Sequence, residues 1–170
     1  MSLKPQVSII MGSTSDLPVM EKAAARLDAL GVPFEILALS AHRTPREVEA
    51  FASSAHERGI KVIIGAAGMA AHLCGVIASM TSVPVIGVPI KASLEGVDAL
   101  YSIVQMPPGI PVATVGINAA ENAALLAVQM MATGDPELYH RLEEYKASLK
   151  DKVVKANAEL AELKYRYKTN

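Results

Sequence analysis

Tryptophan is absent, phenylalanine occurs twice and tyrosine five times, which leaves few rings on which single-stranded nucleic acid can stack. A single cysteine, Cys74, excludes an intramolecular disulfide and a cysteine-rich zinc site, and suits a reducing, cytoplasmic setting. No charge of one sign dominates. The formal net charge is −1, from 16 basic and 17 acidic residues that are interspersed, so neither a nucleic-acid backbone nor an anionic membrane finds an electrostatic footprint. The early apolar run Val7–Met11 is too short for a signal-peptide core. Val62–Ile90 lacks Asp, Glu, Lys and Arg, yet Gly65, Gly68, Gly75, Pro84 and Pro89 cut it into strand and helix lengths that suit a buried parallel sheet better than a membrane span.

Several motifs are missing as well. No Gly-x-Gly-x-x-Gly follows the first apolar run, and neither a Lys-Ser/Thr phosphate loop nor a Gly-x-Ser-x-Gly elbow occurs. These gaps weigh against dinucleotide redox chemistry, nucleoside triphosphate hydrolysis and esterase catalysis. Cys74 has no cationic neighbour in sequence and reads as a structural thiol. No His, Asp or Glu spacing recommends a metal site.

What is present is core material. Apolar residues form 51% of the 170 and charged residues 19%, enough for one domain, residues 1–170, with apolar surface left for self-association. Short apolar runs at Val7–Met11, Phe34–Leu39, Val62–Ile64, Val85–Val88 and Ile110–Val115 alternate with helical patterns, which predicts an α/β parallel sheet covered on both faces. Residues 6–135 make up that core. Past Gly134-Asp-Pro136, apolar residues recur in steps of three or four from Leu138 to Leu163, predicting a long C-terminal helix over 136–166 that lies across the domain or reaches another subunit.

In such sheets the ligand crevice lies beyond the carboxyl ends of the strands. The loops Gly12–Asp16, Ser40–Pro45 and Gly65–His72 follow the first three strands, which are neighbours in a 2-1-3-4-5 order. That order brings Ser13, Asp16, His42, Arg43 and His72 together. Small hydroxyl residues and glycines at helix N-termini let backbone N–H groups approach an anion, and Arg43 adds a bidentate fork matched to phosphate. His42, in a polar loop, carries the side chain whose ordinary pKa of about 6.5 allows proton transfer in both directions; a capping or surface histidine is the plainer alternative. His72 reads more readily as a packed structural histidine than as part of the crevice, and His56 and His140 as solvated. Proton transfer on a phosphorylated small molecule is the chemistry left standing.

Read together, Met11-Gly-Ser-Thr-Ser-Asp16, Ser40-Ala-His-Arg-Thr-Pro45, Gly65-Ala-Ala-Gly-Met-Ala-Ala-His-Leu73 and Ser102-Ile-Val-Gln-Met-Pro107 resemble, in order and spacing, the 5-(carboxyamino)imidazole ribonucleotide mutase family over about residues 7–135. The resemblance implies a three-layer, flavodoxin-like (Rossmann-like) fold assembled as a homo-octamer with active sites where subunits meet. It implies that Ser40 and Arg43 hold the ribose phosphate, that Ser13 and Asp16 bind the ribotide, and that His42 shuttles the proton. Gly68, Ala70, His72 and Leu73 then shape the pocket for the imidazole and the migrating carboxylate, with no cofactor and no metal. Met69 stands where many members have a second glycine and Cys74 where many have proline, while the Lys91–Gly96 stretch is a residue shorter than in some relatives. Carboxylases of this family that use free carbon dioxide tend to carry lysine where this chain has Arg43. Direct carboxylation of aminoimidazole ribonucleotide, a noncatalytic nucleotide- or flavin-binding module, and a structural assembly protein remain the competing readings.

Overall fold

The computed structural model describes residues 4–170. Five strands form one parallel sheet in the order β2-β1-β3-β4-β5: Val7–Met11 (β1), Phe34–Ala38 (β2), Val62–Gly68 (β3), Val85–Ile90 (β4) and Ala113–Thr114 (β5). Ile9 of β1 stands between Ile36 of β2 and Ile64 of β3. Because helices cover both faces, the central strands are apolar at nearly every position, and β1 and β4 are buried throughout.

The helices are Leu17–Ala29 (α1), Pro45–Ser54 (α2), Leu73–Met80 (α3), Val97–Val104 (α4), Ala120–Ala132 (α5) and Pro136–Ala161 (α6). On one face, Met20 and Leu27 of α1 and Ala123 and Ala127 of α5 pack on Ile9, Ile64 and Val88. On the other, Val48 and Phe51 of α2, Ile77 of α3 and Ile103 of α4 pack on Ile10, Ile63 and Val85. Each of the larger side chains among these, Met, Leu, Ile, Val or Phe, contributes roughly 1.5–3 kcal/mol on removal from water, which makes the two apolar layers the main support of the fold. The predicted layers and strand order are thus the observed ones.

Boundaries differ where tertiary packing overrides local signals. β3 runs on to Gly68, through residues that read as a loop. Small side chains are needed there because α3 and α4 lie close: a Cβ on Gly65 would stand 2.8 Å from the Cys74 sulfur, and one on Gly87 would stand 2.3 Å from Ile103 Cγ2. β5 keeps only two residues of the expected six-residue run, since Pro111 offers no N–H to a ladder. α2 stops at Ser54 and is followed by a turn that reaches Gly59 at φ +89°.

The final helix, expected to residue 166, ends at Ala161. Asp135 caps it by accepting from Leu138 N at 3.0 Å. Leu138 and Leu142 are buried against α5, and the Arg26 guanidinium ties three helices together, 4.2 Å above the Tyr145 ring and 2.6 Å from the Glu121 carboxylate. That hydrogen bond, aided by the positive charge of Arg26, holds the Glu121 carboxyl below its usual value. Beyond Lys146 the helix is exposed, and Leu149, Val153 and Leu160 have no apolar partner in the core clusters. Among the described residues no helix is long and apolar enough to cross a membrane.

Candidate active site

The crevice forms where the sheet order predicts, at the carboxyl ends of β1, β2 and β3. After β1 the chain turns at Gly12, and Ser13 Oγ accepts from Ser15 N at 3.3 Å and from Ser15 Oγ at 2.9 Å. Asp16 occupies the N-cap position of α1, but its side chain makes no capping bond. The carboxylate therefore faces the crevice instead of serving the helix. Partial burial pushes its pKa up, opposed by a hydrogen bond from the Ser15 hydroxyl.

The loop after β2 is closed by its own side chains. Ser40 N donates to Thr44 Oγ1 at 2.9 Å and the Thr44 hydroxyl lies 3.2 Å from Ser40 O, so Thr44 braces the loop rather than capping α2 with its side chain. Pro45 takes the first helical position, where its missing N–H is not required. Within this loop Arg43 N donates to Ser40 Oγ at 3.2 Å, and Arg43 Nη2 reaches the Gly12 carbonyl at 2.6 Å. The guanidinium thereby bridges the exits of β1 and β2.

The loop after β3 brings in the second imidazole. His42 Nε2 lies 2.8 Å from His72 Nδ1, with the rings edge-to-face at 85° and their centroids 5.0 Å apart. Both side chains are exposed. The reading of His72 as a packed structural histidine is therefore corrected: at the N-cap of α3, with its backbone carbonyl accepting from Val76 N, the residue aims its ring at His42.

These loops enclose a cavity of about 500 Å³. Ser13, Asp16, Ser40, His42, Arg43, Gly68, Ala70, His72 and Leu73 all line it, and so do Ser15, Met69 and Ala92. Ala92 arrives from the loop after β4, where no local signal marks it. A hollow of about 980 Å³ lies at the amino ends of β4 and β5, but of its lining side chains only His56 is ionisable, so the chemistry gathers at the other end.

Backbone strain gathers there too. Among the described residues, the non-glycine positions at positive φ are Met69, Leu94, Glu95 and Asn118, all in loops that leave the carboxyl ends of β3, β4 and β5. Asn118, at φ 57°, tolerates that conformation and uses its side chain to accept from Lys91 N at 2.9 Å. Met69, one of the two departures from the motif quoted above, sits at φ 55°, a backbone conformation that glycine adopts without steric cost. Cys74, the other departure, is fully buried, donates to Gly65 O at 3.3 Å, and has its thiol pKa pushed up to about 12 by burial.

The chain is 52% identical over 166 residues to the N5-carboxyaminoimidazole ribonucleotide mutase of Synechocystis sp., covering 97% of this chain and 94% of that one. It is 56% identical over 163 residues to the mutase of the same name from Pyrococcus horikoshii, covering 95% and 92%. The crystal structure of Treponema denticola PurE matches with a TM-score of 0.83 at 32% identity, over 92% of this chain and 98% of that one. A family profile described as AIR carboxylase matches residues 6–152, a span that contains every loop of the crevice, and the chain belongs to that family.

Proposed function

We propose that the chain is an enzyme that isomerises N5-carboxyaminoimidazole ribonucleotide to 4-carboxy-5-aminoimidazole ribonucleotide, a step of purine biosynthesis. The observation that carries this reading is the 52% identity to a mutase of that name across 97% of the chain. The cavity supports it: a guanidinium, hydroxyl groups and an imidazole pair converge on one small space.

In this reading Arg43 and Ser40 hold the ribose phosphate, with the Arg43 fork already steered by its bond to Gly12 O. Ser13 and Asp16 bind the ribotide, Asp16 at the ribose hydroxyls, where an uncapped carboxylate can accept. Gly68, Ala70, His72 and Leu73 form the wall around the imidazole and carboxylate. His42 protonates the carbamate nitrogen as its bond to the carboxyl carbon breaks, releasing carbon dioxide and aminoimidazole ribonucleotide inside the site. Ring carbon 4 then attacks the carbon dioxide, and His42 takes back a proton from that carbon. Atoms and charge balance without biotin, ATP or metal, because the carboxyl group only changes place. Holding the carbon dioxide beside the ring supplies the proximity that free solution lacks.

The same proposal takes the assembly to be a homo-octamer in the cytoplasm. The exposed apolar residues of α6 past Lys146 support a packing role for that helix between subunits. The test is an ultraviolet assay of the conversion without added bicarbonate, run on wild type and His42→Asn. Turnover by wild type alone supports the mutase. Activity only on aminoimidazole ribonucleotide at high bicarbonate transfers the assignment to direct carboxylation, and silence in both transfers it to a binding module.

A further inference from the structure

The polar half of the cavity accounts for a phosphate, a ribose and a proton, but a ribotide also presents a flat heterocycle. None of the lining residues is Phe or Tyr, and the two imidazoles that line the cavity are hydrogen-bonded to each other. Only Met69 and Leu73 among the lining residues are long apolar side chains. Leu73 is 3% exposed and committed to the core, whereas Met69 is 60% exposed.

Met69 is kept there at a price in backbone energy. Its φ of 55° is a left-handed conformation that is unfavourable for an L residue other than glycine, and a large side chain makes it a true outlier. The preceding residue cannot take over the role: a Cβ on Gly68 would stand 3.2 Å from Ala92 Cβ and 3.3 Å from Ile90 O. Strain together with an exposed thioether at the mouth of a cavity is the pattern expected of a residue whose partner is the ligand. Methionine suits the task, being unbranched, polarisable and able to follow the shape of what it covers.

We infer that Met69 is a specificity-determining residue whose side chain packs on the heterocyclic base of the bound ribotide. The inference rests on the ribotide reading above. It assigns Met69 to the base and leaves the phosphate to Arg43, and so it predicts a difference between ligands.

The experiment compares wild type, Met69→Gly, Met69→Ala and Met69→Leu by calorimetric titration with 4-carboxy-5-aminoimidazole ribonucleotide and, separately, with ribose 5-phosphate. Glycine removes both side chain and strain, alanine removes the side chain alone, and leucine restores apolar bulk. Ribotide affinity is expected to fall about tenfold in both the glycine and alanine variants, the scale of losing a small apolar contact in a pocket, and to recover in leucine. Ribose 5-phosphate affinity is expected to stay level across all four. Unchanged ribotide affinity in Met69→Ala overturns the inference while wild-type binding keeps the ribotide reading intact. A loss confined to Met69→Gly, or a parallel loss for ribose 5-phosphate, also overturns it by tracing the effect to backbone or general disturbance. Wild type that binds no ribotide overturns both readings together.

Discussion

His42 Nε2 and His72 Nδ1 face each other at 2.8 Å, so a single proton lies between two imidazoles carried by different loops. One ring must donate while the other accepts, which fixes the tautomer of each in relation to its partner. The His42 ring is thus oriented by a neighbour rather than left to rotate. His42→Asn is expected to lower kcat by about a hundredfold or more, the usual scale for a lost general acid/base, with ribotide binding retained in a titration. His72→Ala is expected to lower kcat and kcat/KM together, by about tenfold, because it loosens the orientation of His42. If His72→Ala raises KM and leaves kcat alone, His72 is a binding residue and not a positioning one.

Arg43 bridges two loops through Gly12 O and offers its remaining donors to the cavity. Its removal in Arg43→Ala is expected to weaken ribotide and ribose 5-phosphate alike, about tenfold to a hundredfold, the range for charge-assisted hydrogen bonds. Calorimetry in rising salt checks the electrostatic origin. Equal affinities in wild type and variant reject the phosphate assignment.

Asp16 provides a pH test. Burial raises its folded-state pKa above the ordinary 3.8, so its ionised form is less favoured in the folded chain than in the unfolded one. The penalty is complete above the folded pKa and disappears as the pH falls below the unfolded value. Asp16→Asn should therefore unfold at a higher temperature than wild type near neutrality, and the gap should close in acid at about pH 3. The same variant should lose ribotide affinity. A wild type that is the more stable at neutral pH would contradict the burial argument.

Cys74, with its thiol pushed up to about 12 and fully buried, carries no thiolate at neutral pH. An aromatic disulfide reagent should fail to label the native protein over minutes and should titrate one thiol per chain in denaturant. Rapid native labelling would show that α3 opens readily from the sheet.

Much of this arrangement was legible before any coordinates, because helix and strand periodicities alternate cleanly and their order leaves few topologies. The three exit loops, including His42, Arg43 and Asp16, follow from that alternation. Gly65 and Gly87 were harder to place. Their meaning depends on Cys74 and Ile103, which approach from other elements at distances no local window records. His72 depends on topology in the same way: its local features suit a packed histidine, and only the order β2-β1-β3 brings it to His42. The left-handed backbone of Met69 was hidden, because a methionine in sequence carries no sign of its φ.

The cavity's lining begins at Gly12 and ends at Ala92, so within one chain the lining groups all precede α4, α5 and α6, which hold the frame without touching the ligand space. Such a division lets the two halves tolerate change by different rules. Variation in the later helices is free to retune rigidity and association, and extensions joined after α6 start far along the chain from His42. Redesign of substrate preference, by contrast, has to be made among a few loop residues whose backbone geometry leaves little room for error.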